Sequence, residues 1–112
     1  MKDFEYFNKV NFAVTACSRN GTILYQNERA IKRDGNAAGR NLYDCHPLSA
    51  DKMIRHMIET GESNTYQIIH NGKRKQLHRT PWYDGEGNIA GLIELAVDLP
   101  DGMPVFNRDK KE

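Results

Sequence analysis

Residues 65–99, TYQIIHNGKRKQLHRTPWYDGEGNIAGLIELAVDL, decide the fold of this chain. Asn71-Gly72 is a strong signal for a two-residue hairpin turn, because both residue types accept positive φ. The flanking segments, 65–70 and 73–83, are rich in β-branched and aromatic residues, as strands are. This stretch therefore predicts an antiparallel hairpin with a long second strand.

A second turn at 84–88 leads into a final strand at 89–99. In the preceding strand, Pro81 indicates a bulge or an exposed edge, because proline cannot donate to a strand ladder. The final strand alternates apolar and more polar residues, which predicts one buried face. The residues predicted to face the core are Ile93, Leu95 and Val97.

The first part of the chain predicts two more strands, at 12–17 and 22–26, joined by a polar turn. A short helix is predicted at 2–9 and a central helix at 50–60, with Ser49 as its N-cap. The apolar face of the central helix has helical spacing and consists of Met53, Ile54, Met57 and Ile58. Strands grouped on either side of a helical block indicate an α+β fold, an antiparallel sheet with helices on one face.

Composition limits the function classes. The chain has 112 residues with 38% hydrophobic and 28% charged residues, which fits one globular domain. A net charge of +1 gives no electrostatic reason to expect direct binding of nucleic acid or an acidic membrane. The charged N-terminus does not resemble an export signal, so we expect a cytoplasmic protein with Cys17 and Cys45 reduced.

Four short motifs, in order and at matching spacing, resemble those of the PAS domain family. They are GTILYQN at 21–27, GRNL at 39–42, TGE at 60–62 and DGEGNIAG at 84–91. The resemblance implies five antiparallel strands, short helices between the second and third, and a pocket between the sheet and the central helix. Under this interpretation the chain divides into an N-terminal helical cap at 1–11, a PAS domain at 12–99 and a polar tail at 100–112.

The resemblance implies a sensory or signal-transduction module that binds a small ligand or a partner and relays a signal through protein contacts. Ligand-bearing relatives hold haem, flavin or small metabolites, and others hold nothing, so the fold leaves the ligand open. The predicted pocket residues are Tyr25, Leu42, Cys45, Met53, Ile54, Met57, Ile68, Leu77, Ile93 and Leu95.

A haem-based gas or redox sensor is one alternative. Cys45-His46-Pro47 offers a thiolate and an imidazole just before the central helix, and both are good iron ligands. His56 lies on the central helix itself, although its charged neighbours favour the solvent side. The structural alternative is that Cys45 is a small buried hydrophobe and His46 bonds the connector. Metal-ligand spacing typical of zinc sites is absent from the sequence.

Aromatic residues at two places favour an interface. Phe4 and Phe7 lie one turn apart in the leading helix, and Trp82 and Tyr83 follow Pro81 at a strand end. Trp82 and Tyr83 could equally close the core. We expect a homodimer and a downstream kinase or transcription regulator as partners; a pure dimerisation module with an empty pocket is the remaining alternative. No orienting group or oxyanion hole accompanies either cysteine, so we expect no enzymatic activity.

Overall fold

A computed structural model describes residues 2–44 and 48–109 of the chain. Its five strands form one antiparallel sheet in the order β2-β1-β5-β4-β3, with helices inserted between β2 and β3. The predicted α+β fold is therefore confirmed. The elements are 3-10 helices at Lys2–Phe7 and Leu42–Asp44, helices α1 (Glu28–Asp34) and α2 (Leu48–Thr60), and strands β1 (Ala13–Ser18), β2 (Ile23–Gln26), β3 (Asn64–His70), β4 (Lys73–Tyr83) and β5 (Ile89–Leu99).

The hairpin between β3 and β4 turns at Asn71 and Gly72, with φ of 52° and 75°. Both residues adopt the positive φ that the turn requires. The pairing of β3 with β4 ends at Asn64 and Arg79, so β4 is a local edge where Pro81 stands. The pairing of β4 with β5 is irregular between Trp82 and Tyr83. Pro81 thus occurs where β4 has no β3 partner that would need a backbone N–H from it.

Two predicted helix boundaries need correction. The N-terminal helix is a 3-10 helix at Lys2–Phe7. Helix α2 begins at Leu48, so Ser49 lies inside it rather than at its N-cap. The other end matches the sequence, since Gly61 has φ of +78° and donates its backbone N–H to the Met57 carbonyl at 2.8 Å. Glycine ends the helix there because it adopts positive φ without steric strain.

The face of the sheet towards α1 and α2, called the inner face, carries two apolar clusters. The α2 cluster consists of Cys17, Ile54, Met57, Ile58 and Leu92, all at most 5% exposed. The α1 cluster consists of Ala13, Ala30, Leu77 and Ala96, all at most 7% exposed. Burial of these side chains supplies the main hydrophobic stabilisation of the domain.

A row of polar residues crosses the inner face between the two clusters. The strand register places its members side by side on all five strands, in the order Gln26, Thr15, Glu94, Arg79 and Asn64. Such a row, called the polar row below, is costly inside a core unless its groups are paired. Its position therefore marks the part of the inner face that serves something other than packing.

No helix in the described part of the chain is long and apolar enough to cross a membrane.

Candidate functional site

A pocket of about 590 Å³ lies over the polar row. Its floor is the polar row, and its walls come from Cys17 and Leu92 of the sheet, the end of α1, the loop after α1 and the side chain of Ile54 on α2. The apolar lining residues are Cys17, Ile23, Ala37, Leu42, Ile54, Ile68, Leu77 and Leu92. The polar ones are Thr15, Gln26, Arg33, Asp34, Arg40, His70, Lys75, Arg79 and Glu94. A volume of this size suits a small organic molecule.

Glu94 links two arginines within the pocket. Arg79 Nε donates to Glu94 Oε2 at 2.7 Å, and Arg33 Nη2 donates to Glu94 Oε1 at 3.0 Å. The side chains of Arg79 and Glu94 are 10% and 19% exposed, so this pair is poorly screened by solvent. Both carboxylate oxygens of Glu94 are therefore engaged, and the carboxylate joins β5 to β4 and to α1.

Arg33 has a second acidic partner. Its Nε and Nη2 donate to the Asp34 carboxylate, with Nη2 at 2.7 Å from Oδ2. Burial lowers the pKa of the Arg33 guanidinium, but the hydrogen bond to Asp34 and the charges of Glu94 and Asp34 outweigh it and raise the pKa above its ordinary value. Arg33 therefore remains a fixed positive charge at the pocket wall.

Arg79 keeps an unused donor. Its guanidinium carbon lies 5.7 Å from the centre of the Tyr66 ring, and the residue is 8% exposed. Nη1 is buried and donates to no side chain or backbone group of the described residues. The neighbouring Asn64 donates Nδ2 to Met53 Sδ at 3.1 Å, while its Oδ1 is buried without a partner among those residues. Unpaired buried polar atoms are costly, so the polar row is incompletely satisfied at its β4 and β3 end, where Arg79 lines the pocket and Asn64 does not.

The opposite wall is apolar and includes the buried thiol of Cys17. Burial raises the pKa of Cys17; a backbone hydrogen bond from Leu92 lowers it and the charge of Glu94 raises it further, and the net shift is upward. The thiol is therefore kept protonated beside Ile54 and Leu92. The pocket thus has one apolar wall and one charged floor.

Four of the residues predicted for the pocket line it: Leu42, Ile54, Ile68 and Leu77. Met57 lies instead within the α2 cluster and Met53 packs against that cluster, so neither lines the pocket. Cys45 lies outside the described residues.

The structure corrects the position of Tyr25, Ile93 and Leu95, which lie on the outer face of the sheet. On β5 the residues that face inward are Leu92, Glu94 and Ala96. They alternate with Ile93, Leu95 and Val97, the residues that the sequence predicted to face the core. The sequence favoured the more apolar phase, but the inner face carries the polar row and the outer face is itself partly covered. The Tyr25 ring, for example, stacks on Phe4 at 4.9 Å between centroids.

The described residues do not favour haem binding at this pocket. His56 is a surface residue, with its side chain 57% exposed and Nε2 at 2.9 Å from Glu62 Oε2, so it is corrected as a candidate axial ligand. His70 lines the pocket but is exposed at the hairpin end. The described lining therefore offers no buried imidazole, and Cys45 and His46 lie outside the described residues.

The aromatic residues predicted to form an interface have different environments. Phe4 is half-buried against Tyr25, while Phe7 and Tyr83 are 37% and 53% exposed. Trp82 donates its indole N–H to the Cys17 carbonyl at 2.9 Å, across β5. That bond ties β4 to β1 and gives Trp82 a role within the domain.

Sequence reasoning missed the charged part of the pocket. Arg33 sits in a weakly helical segment, and Arg79 and Glu94 sit in strands where charged residues normally face solvent. The available signal was their placement in register, Arg79 opposite Glu94 in the pairing of β4 with β5. The register of β4 against β5 depends on the turn between them and on the irregularity between Trp82 and Tyr83. Without knowledge of that irregularity, the partner of Arg79 cannot be derived by counting residues from the turn.

Comparison with known proteins identifies the family. The model of the PAS domain family matches residues 5–100, so this chain belongs to the PAS domain family. No curated protein shows a significant match to the chain.

Solved structures show the same fold. The Vibrio cholerae VqmA dimer, described as a LuxR-type receptor in the absence of target DNA, matches with a TM-score of 0.69 and 25% identity over 89% of this chain and 51% of its own. VqmA bound to DPO matches with a TM-score of 0.70 and 24% identity over 88% and 57%. The PAS domain of the histidine kinase ThkA matches with a TM-score of 0.65 and 20% identity over 78% and 98%. The chain thus spans about half the length of the VqmA chains it matches.

Proposed function

We propose that this PAS domain is a cytoplasmic sensory module that binds a small ligand in the pocket over the polar row and performs no catalysis. The observation that carries the proposal is the 590 Å³ pocket between the inner face, α1 and Ile54 of α2. A structure of VqmA with bound DPO supports it by analogy, because that protein shares the fold. Fold alone does not fix function, so the pocket residues carry the argument.

The proposed signal passes through α2. A ligand over the polar row would touch Ile54, which is 1% exposed and belongs to the α2 cluster. Binding that favours one position of α2 shifts the population of domain conformations towards it. The change then reaches a partner protein by contact rather than by chemistry.

The absence of catalysis is part of the proposal. Cys17 is the cysteine in the described lining of the pocket, and burial raises the pKa of its thiol. A nucleophilic cysteine needs the opposite shift, because the thiolate is the reactive form. The environment of Cys17 therefore supports a packing role.

The ligand-binding proposal is tested with a matched pair of variants in the loop after α1. Ala37 lines the pocket, whereas its neighbour Ala38 is exposed and does not. Ala37→Trp should fill the pocket and remove the melting shift that a metabolite library produces in the wild type, while Ala38→Trp should keep it. A library that shifts neither the wild type nor Ala38→Trp, together with no small molecule released on denaturation, would contradict the proposal.

We also propose that the relay partner includes a second copy of this chain, docked on the outer face. That face carries apolar side chains at the sheet centre, with Val97 37% exposed, and Phe7 is 37% exposed at the N-terminal 3-10 helix. Sedimentation velocity should show a dimer that Phe7→Glu or Val97→Glu weakens. Val105→Glu, in the 89% exposed tail, is the control. A monomer at all concentrations would contradict this part alone.

A further inference from the structure

We infer that the ligand of this pocket is a small organic acid, with its carboxylate held by Arg79 and its apolar part against the wall formed by Cys17 and Leu92. The inference rests on the proposed ligand-binding function and adds the chemical class of the ligand.

The Arg79 guanidinium has an unpaired donor, Nη1. Nε is committed to Glu94 Oε2, but Nη1 has no acceptor among the described residues. Arg79 lines the pocket at 8% exposure, and an unpaired N–H in so buried a guanidinium is costly until an acceptor reaches it. The terminal nitrogens of a guanidinium form a fork that matches the two oxygens of a carboxylate.

The two acidic side chains that line the pocket already have arginine partners. Glu94 accepts from Arg33 on one oxygen and from Arg79 on the other. Asp34 is held by Arg33 at 2.7 Å. Each of these carboxylates therefore already has an arginine partner. Beside Arg79, the unpaired acceptor among the described residues is Asn64 Oδ1, a neutral amide oxygen that binds a guanidinium less strongly than a carboxylate does.

Cationic side chains outnumber anionic ones in the lining of the pocket. Four cationic side chains, those of Arg33, Arg40, Lys75 and Arg79, line the pocket with only two anionic ones, those of Asp34 and Glu94. Lys75 has a partial partner at the rim, where its Nζ lies 3.8 Å from the 63% exposed Asp98 carboxylate. The lining thus retains positive charge, which favours an anionic guest over a cationic one.

An apolar wall and a charged floor lie side by side in the pocket. The row of Cys17 and Leu92 lies one step along the sheet from the row of Thr15 and Glu94, so apolar and charged surfaces meet within the same pocket. Ile54 of α2 closes the apolar side. A guest with a hydrocarbon or ring portion and one anionic end matches both surfaces, whereas an inorganic anion would leave the apolar wall uncovered.

The test compares acids with neutral molecules of the same shape. The probes are phenylacetate and phenylacetamide, 4-methylpentanoate and 4-methylpentanamide, and salicylate and salicylamide, measured by calorimetry and thermal shift on the full chain. We expect at least one acid to bind, and its amide to bind at least about tenfold more weakly, because a charge-assisted bidentate bond is lost.

Variants assign the effect to Arg79. Arg79→Lys keeps a cation beside Glu94 but removes the fork, and it should weaken the acid about tenfold or more. Arg79→Met should abolish acid binding. It also leaves Glu94 with one partner, which lowers stability, so the lysine variant is the one that isolates the carboxylate contact. Arg74→Met changes an exposed arginine on the same strand and should bind as the wild type does.

The outcomes separate this inference from the function on which it rests. If amides bind as tightly as their acids, or Arg79→Lys binds acids unchanged, the carboxylate assignment is overturned while a ligand-binding pocket stands. If no acid binds but the metabolite library shifts the wild type and not Ala37→Trp, the assignment also falls and the function stands. If the library shifts nothing and denaturation releases no small molecule, the function itself is overturned.

Discussion

Asn27 and Val14 exchange two hydrogen bonds, with the Val14 N–H donating to Asn27 Oδ1 and the Asn27 N–H donating to the Val14 carbonyl, each at 3.0 Å. The same Oδ1 also accepts from Ala30 N as the N-cap of α1. Its Nδ2 donates to the carbonyls of Phe7 and Phe12 at 2.9 and 2.8 Å. One side chain, 1% exposed, thus joins the N-terminal segment, β1 and α1.

Replacing this asparagine should be strongly destabilising. Asn27→Ala removes four side-chain hydrogen bonds and leaves buried backbone groups unpaired, so we expect a loss of roughly 2–4 kcal/mol in the free energy of unfolding. Urea denaturation followed by circular dichroism measures it. Asn36→Ala, at an exposed position in the loop after α1, is the control and should change stability by less than about 1 kcal/mol. Equal effects for the two variants would refute the junction role of Asn27.

Gly91 is required because the backbone of β5 passes close to β1 and Trp82. A Cβ at this position would overlap the Cys17 carbonyl oxygen and would lie 2.7 Å from Trp82 Nε1, which donates to that oxygen. Gly91→Ala should therefore cost about 1–3 kcal/mol or more, through strain and loss of the indole bond. Gly85→Ala is the matched control, since its Cβ would meet nothing within 4 Å. Thermal melts of both variants give the comparison, and an unchanged Gly91→Ala protein would contradict the close approach.

The turn before β5 should give an acid-dependent contribution to stability. The Asp84 carboxylate accepts from the backbone N–H groups of Asn88 and Glu86, which lowers its pKa below the ordinary value. A group with a lowered folded-state pKa stabilises the fold above its unfolded-state pKa of about 3.9, and this contribution is lost as pH falls through the folded-state value.

Urea titrations of wild type and Asp84→Asn at neutral pH and near pH 2.5 test this dependence. The stability difference between the two proteins should shrink at the lower pH, because the Asp84 carboxylate of the unfolded chain takes up a proton at a higher pH than that of the folded chain. Asp101→Asn, in the exposed segment after β5, controls for the change in net charge. A difference that stays constant with pH would mean that the Asp84 carboxylate does not fix the turn.

Cys17 should react slowly with thiol reagents. The residue is 3% exposed, and burial raises the pKa of its thiol, so both access and thiolate fraction are reduced. In a Cys45→Ser background, which leaves Cys17 as the single cysteine, DTNB at pH 8 should label the native protein far more slowly than the urea-unfolded protein. Rapid labelling of the native protein would contradict the buried position of this thiol. Because Cys17 lines the pocket, a bound acid should slow the labelling further.

The sequence alone determined the order of elements and most of their bounds. Turn chemistry at Asn71-Gly72 and the helical spacing of Ile54 and Met57 are local signals, because φ preference and side-chain period belong to a few neighbouring residues. The sequence predicts a helix in the N-terminal segment but not its 3-10 form, and the contacts of Phe4 and Asn8 with Tyr25 join residues that are distant in the sequence.

What only the tertiary structure decided is which face of each strand meets the pocket and which charges meet there. The alternation in β5 favoured Ile93 over Glu94 for the inner face, and the structure has the opposite phase; a shift of one residue exchanges the two faces. The choice depends on pairing between distant segments, which places Glu94 between Arg79 of β4 and Arg33 of α1. Local sequence does not predict these long-range contacts of Glu94. They pair Arg79 through Nε alone, and the unpaired Nη1 underlies the proposed chemistry of the pocket.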